Sequence, residues 1–405
     1  MEKIDGKTKV LGIVAEYNPW HLGHSYQLEE TKKISGANYS VAVMNGNFTQ
    51  RGEPAILDKW TRAEMALKGG IDLVVELPFY FGCNSAEYFA KGAVDILINS
   101  GIVTHMGFGS ESGDIGKIQN IAQLLVEEPK AFKNILVEKI QQGMSFPRAR
   151  MEAVSAILGP DSAEILNSPN NILAIEYVKE LIRQQSQIEP VTIARKGAGY
   201  HDEECCQLAS ASKIRKELRD NACTENLLED LVPKTTADIL LEHKDRLIFK
   251  DNPRYYQMLQ HRLLSASNNL IDTFSAIEGI ENAFLKHVRR SKNLEELLEK
   301  VKSKRYTYAG LSRIATHMIM NFNKWEKEPK YIRILGFNEK GKKLLKMIKK
   351  SVKEPYVLVT NVNKSEADMS LDIKAQDIYN ILAGENLYEK SDFVRKPVII
   401  ENFEK

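Results

Sequence analysis

Along the first 220 residues, short apolar runs alternate with amphipathic stretches. Lys9–Glu16 (KVLGIVAE) reads as a buried strand. Tyr39–Met44, Asp72–Leu77, Val103–Gly109 and Pro190–Arg195 (PVTIAR) read as four more strands. Helices are predicted between them over His24–Ile34, Lys59–Lys68, Glu87–Ile98, roughly Ile115–Leu158 and Ile172–Gln185, with Ser212–Asp220 closing the series. This alternation implies parallel βαβ units. The expected fold class is α/β, with a doubly wound parallel sheet. In such a sheet, ligands bind beyond the carboxyl ends of the strands, near the switch point.

A polar stretch between Asn221 and Leu240 predicts a boundary, with one domain over residues 1–225 and a second over 240–405. The second reads as mostly helical from Arg254 to Trp325. A small α/β part follows: Tyr331–Phe337 as a strand, Gly341–Lys350 as a helix and Pro355–Val362 as a strand.

Composition narrows the picture. Hydrophobic residues make up 43% of the chain and charged residues 27%, as in ordinary globular proteins. Four cysteines without CxxC spacing exclude a disulfide scaffold and make a structural zinc site a poor fit. No apolar run approaches the ~18–20 residues that span a bilayer. The first residues carry no apolar signal core, so a cytoplasmic protein is expected. The net charge is only +2, but it is uneven: Lys286–Lys350 holds 19 basic and 6 acidic side chains, a net of +13. Tyr306 and Tyr308 lie among those charges. Cations attract phosphates and aromatic rings stack on unpaired bases, so nucleic acid is a reasonable partner for this region.

The sharpest chemical signal is Gly12–His24 (GIVAEYNPWHLGH). A strand runs into an Asn-Pro turn and then a helix. His21 and His24 are three residues apart, on one face of the first helical turn. Free backbone N–H groups and the helix dipole favour an anion there. Two imidazoles beside those amides make a compact site for a triphosphate, with donors able to follow phosphate charge as it shifts. An HxxH pair can also be a metal site or two surface histidines. The preceding strand and turn favour the nucleotide. The chain has neither a Walker A pattern nor GxGxxG.

The segment resembles the HxGH signature of the nucleotidyltransferase superfamily. Ser210-Ala211-Ser212-Lys213-Ile214-Arg215 resembles that superfamily's second motif. Longer segments narrow the likeness. EYNPWHLGH, VMNGNFTQRGEPAILDKWTRAEMAL, DLVVELP, FGSE, SPNNILAIEY and IARKGAGYHD together resemble the bacterial tRNA(Met) cytidine acetate ligases. The likeness continues through Ser303–Arg313 and Arg333–Phe337 and covers essentially the whole chain.

The resemblance implies an enzyme that activates acetate with ATP as acetyl-adenylate, releasing pyrophosphate. The acetyl group would then pass to the exocyclic amine of the wobble cytidine of elongator tRNA(Met). It implies ATP contacts along Val14, Ala15, Glu16, Tyr17, Asn18, Pro19, Trp20, His21, Leu22, Gly23, His24, Ser25, Tyr26 and Gln27. Gly109, Asn170, Asn171, Arg195 and Lys196 would complete them. His21, His24, Ser212 and Arg215 would carry the catalysis. By position, Asn45, Lys59 and Arg62 are expected at the acyl or RNA end, and Arg289, Arg290, Lys304, Arg305 and Arg313 on the RNA. Magnesium is expected, held mainly by the phosphates, with no protein ligand set of its own. Two other readings stay open: a small-molecule adenylyltransferase of the same superfamily, and an RNA-binding protein with an inactive nucleotide site.

Overall fold

The computed structural model describes residues 8–195, 209–265, 270–276, 279–303 and 306–401. Five strands run parallel: β1 (Val10–Ala15), β2 (Tyr39–Asn45), β3 (Leu73–Leu77), β4 (His105–Ser110) and β5 (Glu189–Ala194). Three more come from the C-terminal half: β6 (Tyr331–Asn338), β7 (Val357–Val359) and β8 (Val398–Ile400). The order is β5-β4-β1-β2-β3-β6-β7, with β8 also on β6. Strand order reverses between β1 and β4, which fixes the switch point there.

The central strands are apolar throughout because both faces are covered. Val41 and Val43 point into one core, and Ala42 and Met44 into the other. The same alternation separates Leu73 and Val75 from Val74. The second face is covered by α1 (Leu22–Ser35), α2 (Lys59–Lys68), α4 (Ala211–Asp220) and α5 (Lys234–Glu242). The first face is covered by α3 (Pro169–Arg183), the helices Ala86–Asn99 and Ile115–Glu127, and the helical C-terminal region. That region includes α6 (Tyr308–Met320) and α7 (Ser370–Ala383).

The α/β class and the five parallel strands are as expected. β6 joins them antiparallel beside β3, and β6, β7 and β8 from the C-terminal half extend the same sheet. The physical reason is the edge of β3. Its five residues are all buried, and an apolar edge with unpaired N–H and C=O groups has to be covered. The predicted helical stretch Ile115–Leu158 is three helices, broken before Lys130 and Phe146. No helix among the described residues is long and apolar enough to cross a membrane.

Candidate active site

At the switch point, β1 leads through Glu16–Trp20 into α1. The turn is built by internal bonds. Asn18 Oδ1 accepts the Ile56 N–H at 2.8 Å, and Glu16 Oε1 accepts the Gln50 N–H at 2.8 Å. Tyr17 and Trp20 are buried with ring centroids 4.6 Å apart, and Trp20 Nε1 donates to Ser25 Oγ at 3.1 Å. These residues of the expected ATP stretch, with Pro19 buried among them, hold the turn in place.

His21 is the N-cap of α1, so the helix starts at Leu22, two residues before the predicted start. The Gly23 N–H donates to His21 Nδ1 at 3.0 Å, and the His21 N–H donates to His24 Nδ1 at 3.3 Å. This is a capping box built from imidazoles. Each Nδ1 is therefore an acceptor, so each neutral ring carries its proton on Nε2. The two Nε2–H groups remain as donors for a ligand. The rings lie 3.8 Å apart between centroids. A methyl group on Gly23 would sit 2.8 Å from His21 Cε1, so the residue between the histidines has to be glycine.

The second motif comes to the same place. Ser210 caps α4 by accepting the Lys213 N–H at 3.2 Å. Arg215 Nη1 donates to the Asn18 carbonyl at 2.7 Å, and its Nη2 donates to Ser212 Oγ at 3.3 Å. Arg195, just past β5, donates to Asn170 Oδ1 at 3.1 Å. Burial, then Arg195 and Arg215, pushes the His21 imidazole down to about 4. Burial, then His21 and Arg195, puts His24 well below its usual value. Both rings are therefore neutral near pH 7. Negative charge beside them would oppose the electrostatic part of that shift.

A cavity of about 40 Å3, open to solvent, collects His21, Gly23, His24, Tyr26, Gln27, Gly109, Ile193 and Arg195. Val14 and Ala15 sit half-buried at the end of β1, and Leu22 half-buried at the start of α1. Asn170 and buried Asn171 begin α3. Lys196 lies outside the described residues, as do Lys304 and Arg305.

Glu111 was not among the expected site residues. Its Oε1 accepts from Asn170 Nδ2 at 2.7 Å, and its Oε2 accepts the Asn171 N–H at 2.8 Å. A carboxylate at a helix N-terminus suits the dipole, and here it orients the amide that holds Arg195. Its place in FGSE, just past a strand, was the available signal. Ile193 is the apolar wall that sequence reasoning also left out.

Three expected residues are elsewhere in character. Asn45, Lys59 and Arg62 lie at the carboxyl edge but are at most 1% exposed. Asn45 Nδ2 donates to the Phe48 and Gly82 carbonyls at 3.2 and 3.1 Å. Arg62 donates to the carbonyls of Glu16, Leu57, Asn45 and Gly46. Lys59 Nζ lies 2.8 Å from Glu76 Oε1 and 2.8 Å from Asp392 Oδ2. All three serve the scaffold, because the loop after β2 and the C-terminal segment cover them. Arg289 and Arg290 are exposed at the end of the helix Ile280–Val288. Arg313, half-buried on α6, donates to the Gln50 carbonyl at 3.3 Å. Among the described residues, no three His, Cys, Asp or Glu side chains gather to hold a metal ion.

The comparisons agree with this geometry. Residues 8–392 match the family model described as HIGH Nucleotidyl Transferase. A tRNA(Met) cytidine acetate ligase of Clostridium perfringens is 40% identical, over 96% of this chain and 99% of its own length. One from a Thermoanaerobacter species is 41% identical, over 95% of this chain and 98% of its own. A crystal structure of Thermotoga maritima TmcAL bound with alpha-thio ATP superposes with a TM-score of 0.88 at 34% identity, covering 98% of this chain and 100% of that one. With a HIGH-type site at the switch point and relatives alike from end to end, this chain belongs to the tRNA(Met) cytidine acetate ligase family of HIGH nucleotidyl transferases.

Proposed function

We propose that the protein joins acetate to the wobble cytidine of elongator tRNA(Met) in two steps at the switch-point cavity. In the first, an acetate oxygen attacks the α-phosphorus of ATP and pyrophosphate leaves, giving acetyl-adenylate. In the second, the cytidine N4 amine attacks the acetyl carbonyl, AMP leaves and a proton is lost, giving N4-acetylcytidine. An aromatic amine is a weak nucleophile, so the carboxylate needs the leaving group that adenylation supplies.

The observation that carries this reading is the donor set. His21 and His24 offer Nε2–H groups, with Arg195 and Arg215 close enough to depress an imidazole. None of these four has a carboxylate partner among the described ion pairs. A cluster of donors with no carboxylate ion-paired to it among the described residues is suited to a polyphosphate whose charge moves during an in-line displacement. Ser212 would reach the same phosphates beside Arg215. Magnesium would ride on the phosphates, adding charge neutralisation where the protein supplies no carboxylate cage. The exposed Arg289 and Arg290 would meet the RNA backbone. The free nucleotide and tRNA substrates fit a cytoplasmic enzyme.

Unmodified bulk tRNA, magnesium, ATP and isotope-labelled acetate form the test, read by mass spectrometry of the digested nucleosides. ATP-dependent label on cytidine is the expected result. Intact tRNA and bound ATP without label would overturn the proposal.

A further inference from the structure

A second cavity, of about 40 Å3, lies away from the switch point. Four separate segments form it: the start of α2, the turn after α5, the end of α7, and the C-terminal segment 390–395. Leu57, Tyr379 and Ala383 supply its apolar walls.

Its acidic groups are already engaged. Asp58 Oδ1 accepts the Thr61 N–H at 2.7 Å, and its Oδ2 lies 3.5 Å from Arg395 Nη2. Glu385 Oε1 lies 3.3 Å from Arg246 Nε. Its two buried groups without a partner among the described residues are both donors. Asn380 is 2% exposed, its Oδ1 accepts from Gln376 Nε2 at 2.8 Å, and its Nδ2 has no partner. Arg395 Nε is buried without a partner as well. Lys390 and His243 line the same cavity, and neither side chain makes a hydrogen bond to the described residues.

Buried donors without acceptors are costly and uncommon. A cavity whose buried unpartnered groups both donate, with Lys390 beside them, suits an oxygen-rich anion better than a metal cation. The donors come from three different elements, so they approach from several directions. A tetrahedral oxyanion with oxygens on every side meets that arrangement better than a planar carboxylate. The wall is also fixed in advance. Asp392, in the segment that carries Lys390 and Arg395, is locked to Lys59 and Arg333 at 2.8 and 2.6 Å.

We infer that this cavity is a second anion site that takes a phosphate group, held by Asn380, Lys390 and Arg395 with His243. The phosphate can come from free inorganic phosphate or from the RNA backbone. The RNA source rests on the function proposed above; the free-ion source does not. Helix α2 links this site to the turn before α1. Asp58 caps that helix here, while Arg62 on it holds the Glu16 carbonyl at the switch point.

The test uses the full-length protein saturated with a non-hydrolysable ATP analogue, so that the first cavity is filled. Inorganic phosphate is titrated by calorimetry against wild type, His243→Gln/Lys390→Gln and Asn380→Leu. Unmodified tRNA is titrated in parallel at several salt concentrations. Stoichiometric phosphate binding, weakened tenfold or more in both variants, supports the site. A tRNA salt slope reduced by about 1 in the double variant identifies the RNA backbone as the source, whether or not the free ion binds. An unchanged slope with phosphate binding lost identifies the free ion. The inference is overturned if the tRNA slope is unchanged and the free ion either fails to bind wild type or binds the variants equally well. Acetate-dependent ATP–pyrophosphate exchange should be normal in the double variant. Its absence from wild type would count against the proposed function and leave the phosphate titration standing.

Discussion

Two stretches of the same sheet edge carry cationic side chains and treat them in opposite ways. Past β1, β4 and β5, the groups are His21, His24, Arg195 and Arg215, and no carboxylate among the described residues forms an ion pair with them. Past β2 and β3, the groups are Lys59 and Arg333, and Glu76 and Asp392 neutralise them. Lys59 reaches both carboxylates at 2.8 Å, and Arg333 lies 3.1 and 2.6 Å from them. The first edge keeps its charge requirement open for a ligand. The second closes it internally, beneath the C-terminal segment. Residue type alone therefore does not mark a phosphate site; the absence of an internal counter-charge does.

Breaking the closed edge should have the largest effect. Asp392→Ala leaves two buried cations sharing one carboxylate. Removing one partner from a buried ion cluster costs about 3–5 kcal/mol. Urea unfolding should show a loss of that size, and acetate-dependent pyrophosphate exchange should persist in whatever protein remains folded. A loss below about 1 kcal/mol would mean that water already reaches this network. Arg333 Nη2 and Asp392 Oδ1, both buried without partners, are where such water would sit.

The open edge should respond in catalysis and hardly in stability. His24→Ala removes one phosphate donor. Losing a single donor of this kind costs about 10²–10³ in rate. Acetate-dependent ATP–pyrophosphate exchange should fall by that factor, while tRNA affinity stays within about twofold. Exchange at the wild-type rate would show that the ring serves only the helix cap.

The contrast between the edges also explains what the sequence made legible. The strand–helix alternation and the HxGH turn were readable because both are local: apolar period, an Asn-Pro turn and three-residue spacing suffice. Ser212 and Arg215 were placed through a second local motif, and the structure brings Arg215 to Asn18. Depth was not readable. Lys59 and Arg62 look like ligand groups at the start of a helix beside a polar loop, and only the fold buries them. Of the two carboxylates that neutralise Lys59, Asp392 lies more than 300 residues later. The antiparallel pairing of β6 with β3 is equally non-local and has no signature in either strand. Glu111 was missed because the groups that donate to it, on Asn170 and Asn171, belong to a helix that begins far along the chain.

The smallest effect is the most diagnostic of an open charge requirement. His21 is held down to about 4, chiefly by burial, against about 6.5 in an unfolded chain. Between those values the unfolded chain takes up a proton that the folded site refuses. Stability from this group is complete above about pH 6.5 and is lost as the pH falls towards 4. From pH 7 to pH 5, that amounts to about 2 kcal/mol. His21→Asn keeps an N-cap acceptor but cannot titrate, so its stability should fall less over the same interval. ATP should shrink the wild-type loss too, because its phosphates supply the missing anion and pull the imidazole pKa back up. Equal acid sensitivity in wild type and variant, with no protection by ATP, would mean that the imidazoles do not face the phosphates. The two edges would then differ in burial but not in purpose.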